Sequence, residues 1–217
     1  LGTNIQGSGN VVSEIRSVDG FDAISASHIS KVFVTTGEDF YVEVVTDDNI
    51  QPHLETYVKG NTLFIGNEQG VNFQPATKVH IHVRMPALWE ISTSGASEVY
   101  LESALNQSSL HLQSSGSSDI LLGKVVLDEL FAQSSGSSDI HLTGYAEYAK
   151  ISTSGSSDFR GSDFSCNAAE VNLSGSSDVW VMVYEMINGS LSGSSDLHLL
   201  GDPVVNIRTS GTAEVHR

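Results

Sequence analysis

The sequence predicts an all-β protein, a single-stranded parallel β-helix (β-solenoid), and three observations carry that reading. The first is a repeat: Ser-Gly-Ser-Ser-Asp followed by an apolar residue occurs five times in 217 residues, with two looser copies flanking the series. The second is the period. Counted from the Gly, the copies sit at Gly95, Gly116, Gly136, Gly155, Gly175, Gly193 and Gly211, so successive spacings are 21, 20, 19, 20, 18 and 18 residues. A period of that size marks one supersecondary unit stacked on itself. The third is strand-like alternation on both sides of each turn.

Before each Gly, alternate positions are apolar or small, and the residues between them are mostly polar. The sets are Trp89, Ile91, Thr93; Leu110, Leu112, Ser114; Leu130, Ala132, Ser134; and Ala149, Ile151, Thr153. The later units read Ala169, Val171, Leu173; Ile187, Gly189, Leu191; and Val205, Ile207, Thr209. Four residues after the Gly the apolar face resumes at Val99, Ile120, Ile140, Phe159, Val179, Leu197 and Val215. Each unit therefore reads strand, tight Gly-Ser turn, second strand, variable connection. One unit cannot bury its inner face, whereas units stacked in parallel close their backbone hydrogen bonds and build an apolar column. The small corner residues Ser114, Ser134, Thr153 and Thr209 suit a narrow coil interior. Seven rungs at about 4.8 Å each give a rod on the order of 30 Å long. Left-handed coils of similar period carry an apolar residue every sixth position, and no such hexad occurs here.

Upstream of the repeats, Lys31–Thr35 and Tyr41–Thr46 alternate, and Asn61–Ile65 follows a Gly60-Asn61 turn signal. Val79, Ile81 and Val83 alternate with His80, His82 and Arg84 and lead through Pro86 into the first repeat. Asn49–Tyr57 has room for a helical turn, with Pro52 confined to its start. We read residues 1–87 as an irregular β-rich cap and 88–217 as the regular repeat region of one domain spanning 1–217. A separate small β-domain is the alternative, disfavoured because no flexible linker divides the two.

Composition narrows function. The net charge of −16 argues against nucleic acid and anionic membrane surfaces, both of which need a basic face. No apolar run is long enough to span a bilayer. Cys166, the lone cysteine, has no partner for an internal disulfide and reads as an idle thiol. The chain begins at Leu1 without a charged-then-apolar leader, which fits either a cytosolic protein or removal of a targeting segment.

A set of ordered landmarks adds a resemblance. Gly7-Ser8-Gly9-Asn10, then Arg16, Phe21 and Ile24, then Pro86-Ala87-Leu88 entering the Ser-Gly repeats, resembles the head GIN domain family of putative autotransporter adhesins, common in gut Bacteroidetes. The likeness covers nearly the whole chain. It implies a right-handed parallel β-helix and an exported protein of the cell surface or outer membrane, lipid-anchored through a removed N-terminal segment. It supplies no catalytic or binding residues.

Candidate sites follow from the repeat. Asp119, Asp139, Asp158, Asp178 and Asp196 fall at one corner, with Glu98 and Glu214 at the ends. Stacked about 5 Å apart, neighbouring charges repel by about 1 kcal/mol in water and several times more at lower effective dielectric. Capping bonds within each Asp's own turn would offset this. A row of calcium ions is the other means, disfavoured because calcium-binding β-roll repeats are nonapeptides and these are not. Five residues after each Gly comes an outward ridge of Tyr100, Leu121, His141, Arg160, Trp180, His198 and His216. Tyr100, His141, Arg160, Trp180 and His198 are the candidate contact residues for an extracellular glycan or protein. The bland reading is that solenoid strands simply tolerate large β-formers on their outer side.

The pairs His198/His216 and His80/His82 lack a third ligand nearby in sequence, so no metal and no cofactor are expected. Arg160 beside Asp158 and Asp163 is reminiscent of β-helical polysaccharide lyases, with a surface ion pair as the default. No Gly-x-Ser-x-Gly elbow, phosphate loop or dinucleotide fingerprint is present. The reading is a non-enzymatic recognition module acting through many weak, repeated contacts. A structural module that self-associates is the alternative, and a polysaccharide-active enzyme a third.

Overall fold

The structure, a computed structural model, describes residues 2–217. It is built of strands and one short 3-10 turn, and it divides into two compact units, one up to Glu102 and the other Ser103–Arg217.

The first unit contains β1 (Thr3–Gln6), β2 (Val11–Ile15), β3 (Ala23–Ala26), β4 (Lys31–Thr36), β5 (Tyr41–Asp47), β6 (Leu54–Lys59), β7 (Thr62–Asn67), β8 (Val71–Gln74), β9 (His80–Met85), β10 (Glu90–Thr93) and β11 (Glu98–Leu101). The three expected strands upstream of His80 are β4, β5 and β7. The expected helical turn shrinks to Gln51–His53, with Pro52 in its first turn, because the chain is already extended at Leu54. Parallel pairing places β3 between β7 and β10, and β4 between β9 and β11. Antiparallel pairs β2–β5, β5–β9 and β6–β7 complete the unit, so this portion mixes directions where the repeats do not. The chain lays down the middle layer, β3–β4, before either of the layers that sandwich it.

That middle layer is a copy of the repeat that spacing alone does not show. Ser27-His28-Ile29-Ser30-Lys31-Val32 stacks in register on Ser94-Gly95-Ala96-Ser97-Glu98-Val99. His28 takes the left-handed φ of 63° that glycine takes in the other turns. Its carbonyl accepts the Ala96 N–H at 2.9 Å, as the Gly116 carbonyl accepts the Ser137 N–H at 2.8 Å. With His in place of Gly and Lys in place of Asp, the motif is invisible to inspection. Trp89 departs from expectation in the other direction. The alternation puts it on the inner face, but strand β10 starts only at Glu90; Leu88 is fully buried and Trp89 stays 37% exposed.

In the second unit, β12 (Leu105–Ser114), β13 (Asp119–Ser134), β14 (Asp139–Thr153), β15 (Asp158–Leu173), β16 (Asp178–Leu191), β17 (Asp196–Leu200), β18 (Val204–Thr209) and β19 (Glu214–His216) pair only in parallel. They form the β-solenoid that the repeat predicts, with about six turns rather than the seven rungs expected, since the copy at Gly95 falls in the first unit. Asp119, Asp139, Asp158, Asp178, Asp196 and Glu214 share one column. Ile120, Ile140, Phe159, Val179 and Leu197 form the buried column beside it. The uneven period is absorbed at the far corner: Ser165 is the next residue in register after Arg160, yet it faces Met182 while Arg160 faces Trp180. The Asp that closes each of the five Ser-Gly-Ser-Ser-Asp turns stays in register from rung to rung.

The Ser directly before each Asp explains why the turn sequence is so uniform. Ser118, Ser138, Ser157, Ser177 and Ser195 have no exposed surface. Each hydroxyl donates to the carbonyl three residues earlier, at 2.6, 2.7, 2.7, 2.9 and 2.7 Å respectively. The corner residues join them: Ser134 Oγ donates to Ser157 Oγ at 3.1 Å, and Thr153 Oγ1 lies 2.8 Å from Ser177 Oγ. A serine column thus runs inside the coil, its polar atoms satisfied as burial demands.

Candidate functional site

Parallel register aligns the outward residues into columns, and the expected ridge is one of them. In the second unit it runs Leu121, His141, Arg160, Trp180, His198, His216. Its aromatic members stack on one another. Trp180 and His198 lie 4.6 Å apart at 6°, His198 and His216 5.0 Å apart at 13°. The Arg160 guanidinium covers the other Trp180 face at 5.3 Å. The indole faces are therefore taken, and the edges point outward. In the first unit Tyr100 belongs to the column His82–Phe33–Tyr100, with Phe33 stacked at 5.3 Å on each neighbour. The Tyr100 hydroxyl donates to Glu98 Oε2 at 2.7 Å, and Lys31 Nζ sits 3.2 Å from the same carboxylate. Burial pushes the Glu98 pKa up, but these two partners outweigh it and leave it below the ordinary value.

The acidic column is held by bonds between rungs. Oδ1 of Asp119, Asp139 and Asp158 accepts the backbone N–H of the next Asp along the column, at 3.1, 3.2 and 3.0 Å. The expectation of capping within each Asp's own turn is corrected: stacked strands present the neighbouring rung's N–H to the carboxylate. Ridge cations help. Arg160 meets Asp158 at 3.0 Å and Asp139 at 3.9 Å, while Nε2 of His198 and His216 lie 3.1 and 3.0 Å from Asp178 and Asp196. Asp158 still titrates above its ordinary range, because burial and the flanking Asp charges outweigh the Asp178 N–H and Arg160.

Shallow grooves border the ridge in the second unit. One of about 240 Å³ lies between His141, Arg160 and Asp163, and another of about 360 Å³ between Trp180, Leu200 and His216. A face that sequence reading passed over lies on the first strand of each rung. There Gln113, Gln133, Ser152, Asn172, Ser190 and Arg208 align, beside His111, Phe131, Lys150, Glu170, Asn188 and Asn206. The signal was present at three and five residues before each Gly, masked by the attention alternation draws to inner positions.

Hydrolase chemistry finds no support in this arrangement. The Ser directly before each Asp turns its hydroxyl into the coil and donates to a carbonyl, the Ser directly after each Gly is exposed at the turn, and the His rings stand outside. Burial pushes the Cys166 thiol up to about 12, far from a nucleophile's range. His80 and His82 pack against Phe33 from edge and face, and burial lowers the His80 pKa. Among the described residues no helix is long and apolar enough to cross a membrane.

Solved structures share this fold. An adhesin-titled protein from Bacteroides fragilis superposes with a TM-score of 0.92 at 24% identity, over 98% of this chain and 99% of that one. A lipid-binding-titled protein from Parabacteroides distasonis gives 0.81 at 20% identity, over 99% of each chain. An adhesin-titled protein from Parabacteroides merdae gives 0.79 at 18%, over 99% and 98%. No curated protein matches the chain. The family profile described as "Putative auto-transporter adhesin, head GIN domain" matches residues 20–203, spanning most of the first unit and the five Ser-Gly-Ser-Ser-Asp turns, and the chain belongs to that family.

Proposed function

We propose that this protein is an exported surface recognition module, lipid-anchored at the envelope, that binds an extended extracellular glycan without catalysis. The observation that carries the reading is the register of the second unit. Like hydrogen-bonding groups recur along Gln113, Gln133, Ser152, Asn172 and Ser190. They recur at the strand spacing of about 4.8 Å, comparable to the length of one pyranose residue. A polymer lying along such a column meets an uncharged polar group at each step, and weak contacts add through high effective concentration. The ridge contributes through its edges and the Arg160 tip, since the Trp180 faces are covered. Absence of catalysis is supported by the burial of the Ser directly before each Asp and by Arg160 being committed to Asp158 and Trp180.

The test is a glycan and host-matrix array read with wild type, with N172A/Q133A on the first-strand face, and with R160A/W180A on the ridge. Reproducible polysaccharide hits lost in one variant pair assign the face. Protein-matrix hits alone replace the glycan with a protein partner. A blank array together with concentration-dependent mass in light scattering moves the reading to a self-assembling envelope module.

A further inference from the structure

Among the described residues, Asp196, Glu214 and His216 form a group whose donor atoms all lie within 4.8 Å of one another. We propose that they bind a divalent transition-metal ion of the zinc class. Strand pairing builds the group. Asp196 and Glu214 are direct partners across β17 and β19, and His216, two residues past Glu214, returns to the same face. Nε2 of His216 is 3.0 Å from Asp196 Oδ1 and 3.9 Å from Glu214 Oε2. Tetrahedral zinc with bonds of about 2.0–2.2 Å separates its ligands by about 3.3 Å. One donor pair is already near that distance, and the other two close as the exposed Glu214 side chain turns toward Asp196 and His216.

The imidazole is held in place independently of the acids. It stacks on His198, which stacks on Trp180, so its ring plane is set before an ion arrives. One nitrogen and two carboxylate oxygens are a donor set for borderline metals rather than for calcium, which takes six or more oxygens. Three protein ligands leave a fourth position open. The same order of residues recurs at Asp178, Asp196 and His198, where His198 Nε2 lies 3.1 Å from Asp178 Oδ1, but among the described residues it is Asp196, Glu214 and His216 that bring three donors within 4.8 Å of one another, and His141 is not part of that group. His141 is therefore a built-in control on the same ridge. The charge of −16 favours cation approach.

The test uses tag-free protein, calorimetric titration with zinc, and cobalt as a visible-absorption probe. One zinc per chain is expected, with cobalt bands of four- or five-coordinate intensity. H216A and E214Q each lower zinc affinity at least about tenfold, whereas H141A leaves it unchanged; an affinity ratio of ten corresponds to about 1.4 kcal/mol. His216 is exposed and lies at the edge of β19, and unchanged circular dichroism of H216A confirms that the fold is intact. No saturable zinc binding, or equal binding by wild type and H216A, overturns the proposal and leaves only nonspecific attraction to an acidic surface.

Discussion

The rungs are made by single residues whose roles depend on what lies directly above and below. Gly155 has φ +67°, and a Cβ there would come within 2.6 Å of the Gly136 carbonyl oxygen. Strain and a backbone clash coincide, so Gly155→Ala is expected to destabilise by at least about 2 kcal/mol in denaturant unfolding. Ser156 and Ser157 separate exposure from burial within one turn. Ser157→Ala removes a buried donor to Ser154 O and an acceptor for Ser134 Oγ. We expect a loss of about 1–3 kcal/mol there and less than about 0.5 kcal/mol for the exposed Ser156→Ala. Asp158 acts through its charge. Its folded pKa lies above the ordinary 3.8, so ionisation weakens the folded state at neutral pH, and that cost is relieved as pH falls through the raised value. Asn at 158 keeps an acceptor for the Asp178 N–H without the charge. Asp158→Asn is thus expected to melt above wild type at pH 7, with the gap closing as the pH is lowered toward the ordinary Asp value. An unchanged gap across that range would show that the acidic column is not the source of the shift.

Within the second unit each element's neighbours are the rungs before and after it, so stability is close to a sum of nearest-neighbour terms. Deleting residues 136–154 joins Ser135 to Gly155 and restores an intact Ser-Gly-Ser-Ser-Asp turn. The new neighbours, Asp119 beside Asp158 and Ile120 beside Phe159, match in kind those they replace. The shortened protein is expected to fold with the same far-ultraviolet signal per residue and a lower melting temperature. Loss of the β signal would mean that the rungs are not interchangeable. The connections carry the variability: the slips after Leu121 and His141 absorb one residue each and the slip after Arg160 three, without disturbing the turns.

Across the whole chain, 26 acidic residues against 10 Lys and Arg leave a large negative excess. Self-repulsion of that size weakens a folded state, and salt screens it over a Debye length of about 10 Å at 0.1 M. The ion pairs of the ridge are partly exposed and contribute about 0–1 kcal/mol each, too little to reverse the trend. Raising NaCl from low to half-molar concentration is therefore expected to raise the melting temperature. A fall would mean that the Arg160 and His198 pairs outweigh the net repulsion.

Much of this protein is legible in one dimension. The repeat, its period and the inner alternation determine a stacked parallel β fold, because only neighbouring copies can bury faces such as Ile120, Ile140 and Phe159. The same spacing places Arg160, Trp180 and His198 on one outward column. Tertiary structure decided what spacing does not encode. The copy at Ser27–Val32 is recognised only by the backbone angle of His28 and by its stacking on Gly95, since neither its residue types nor its place in the chain order betrays it. Whether the ridge rings face solvent or each other, which N–H each Asp accepts, and that Asp196, Glu214 and His216 converge all depend on side chains from successive rungs meeting at about 4.8 Å. Residues about twenty apart in sequence become nearest neighbours there, and no local pattern records what passes between them.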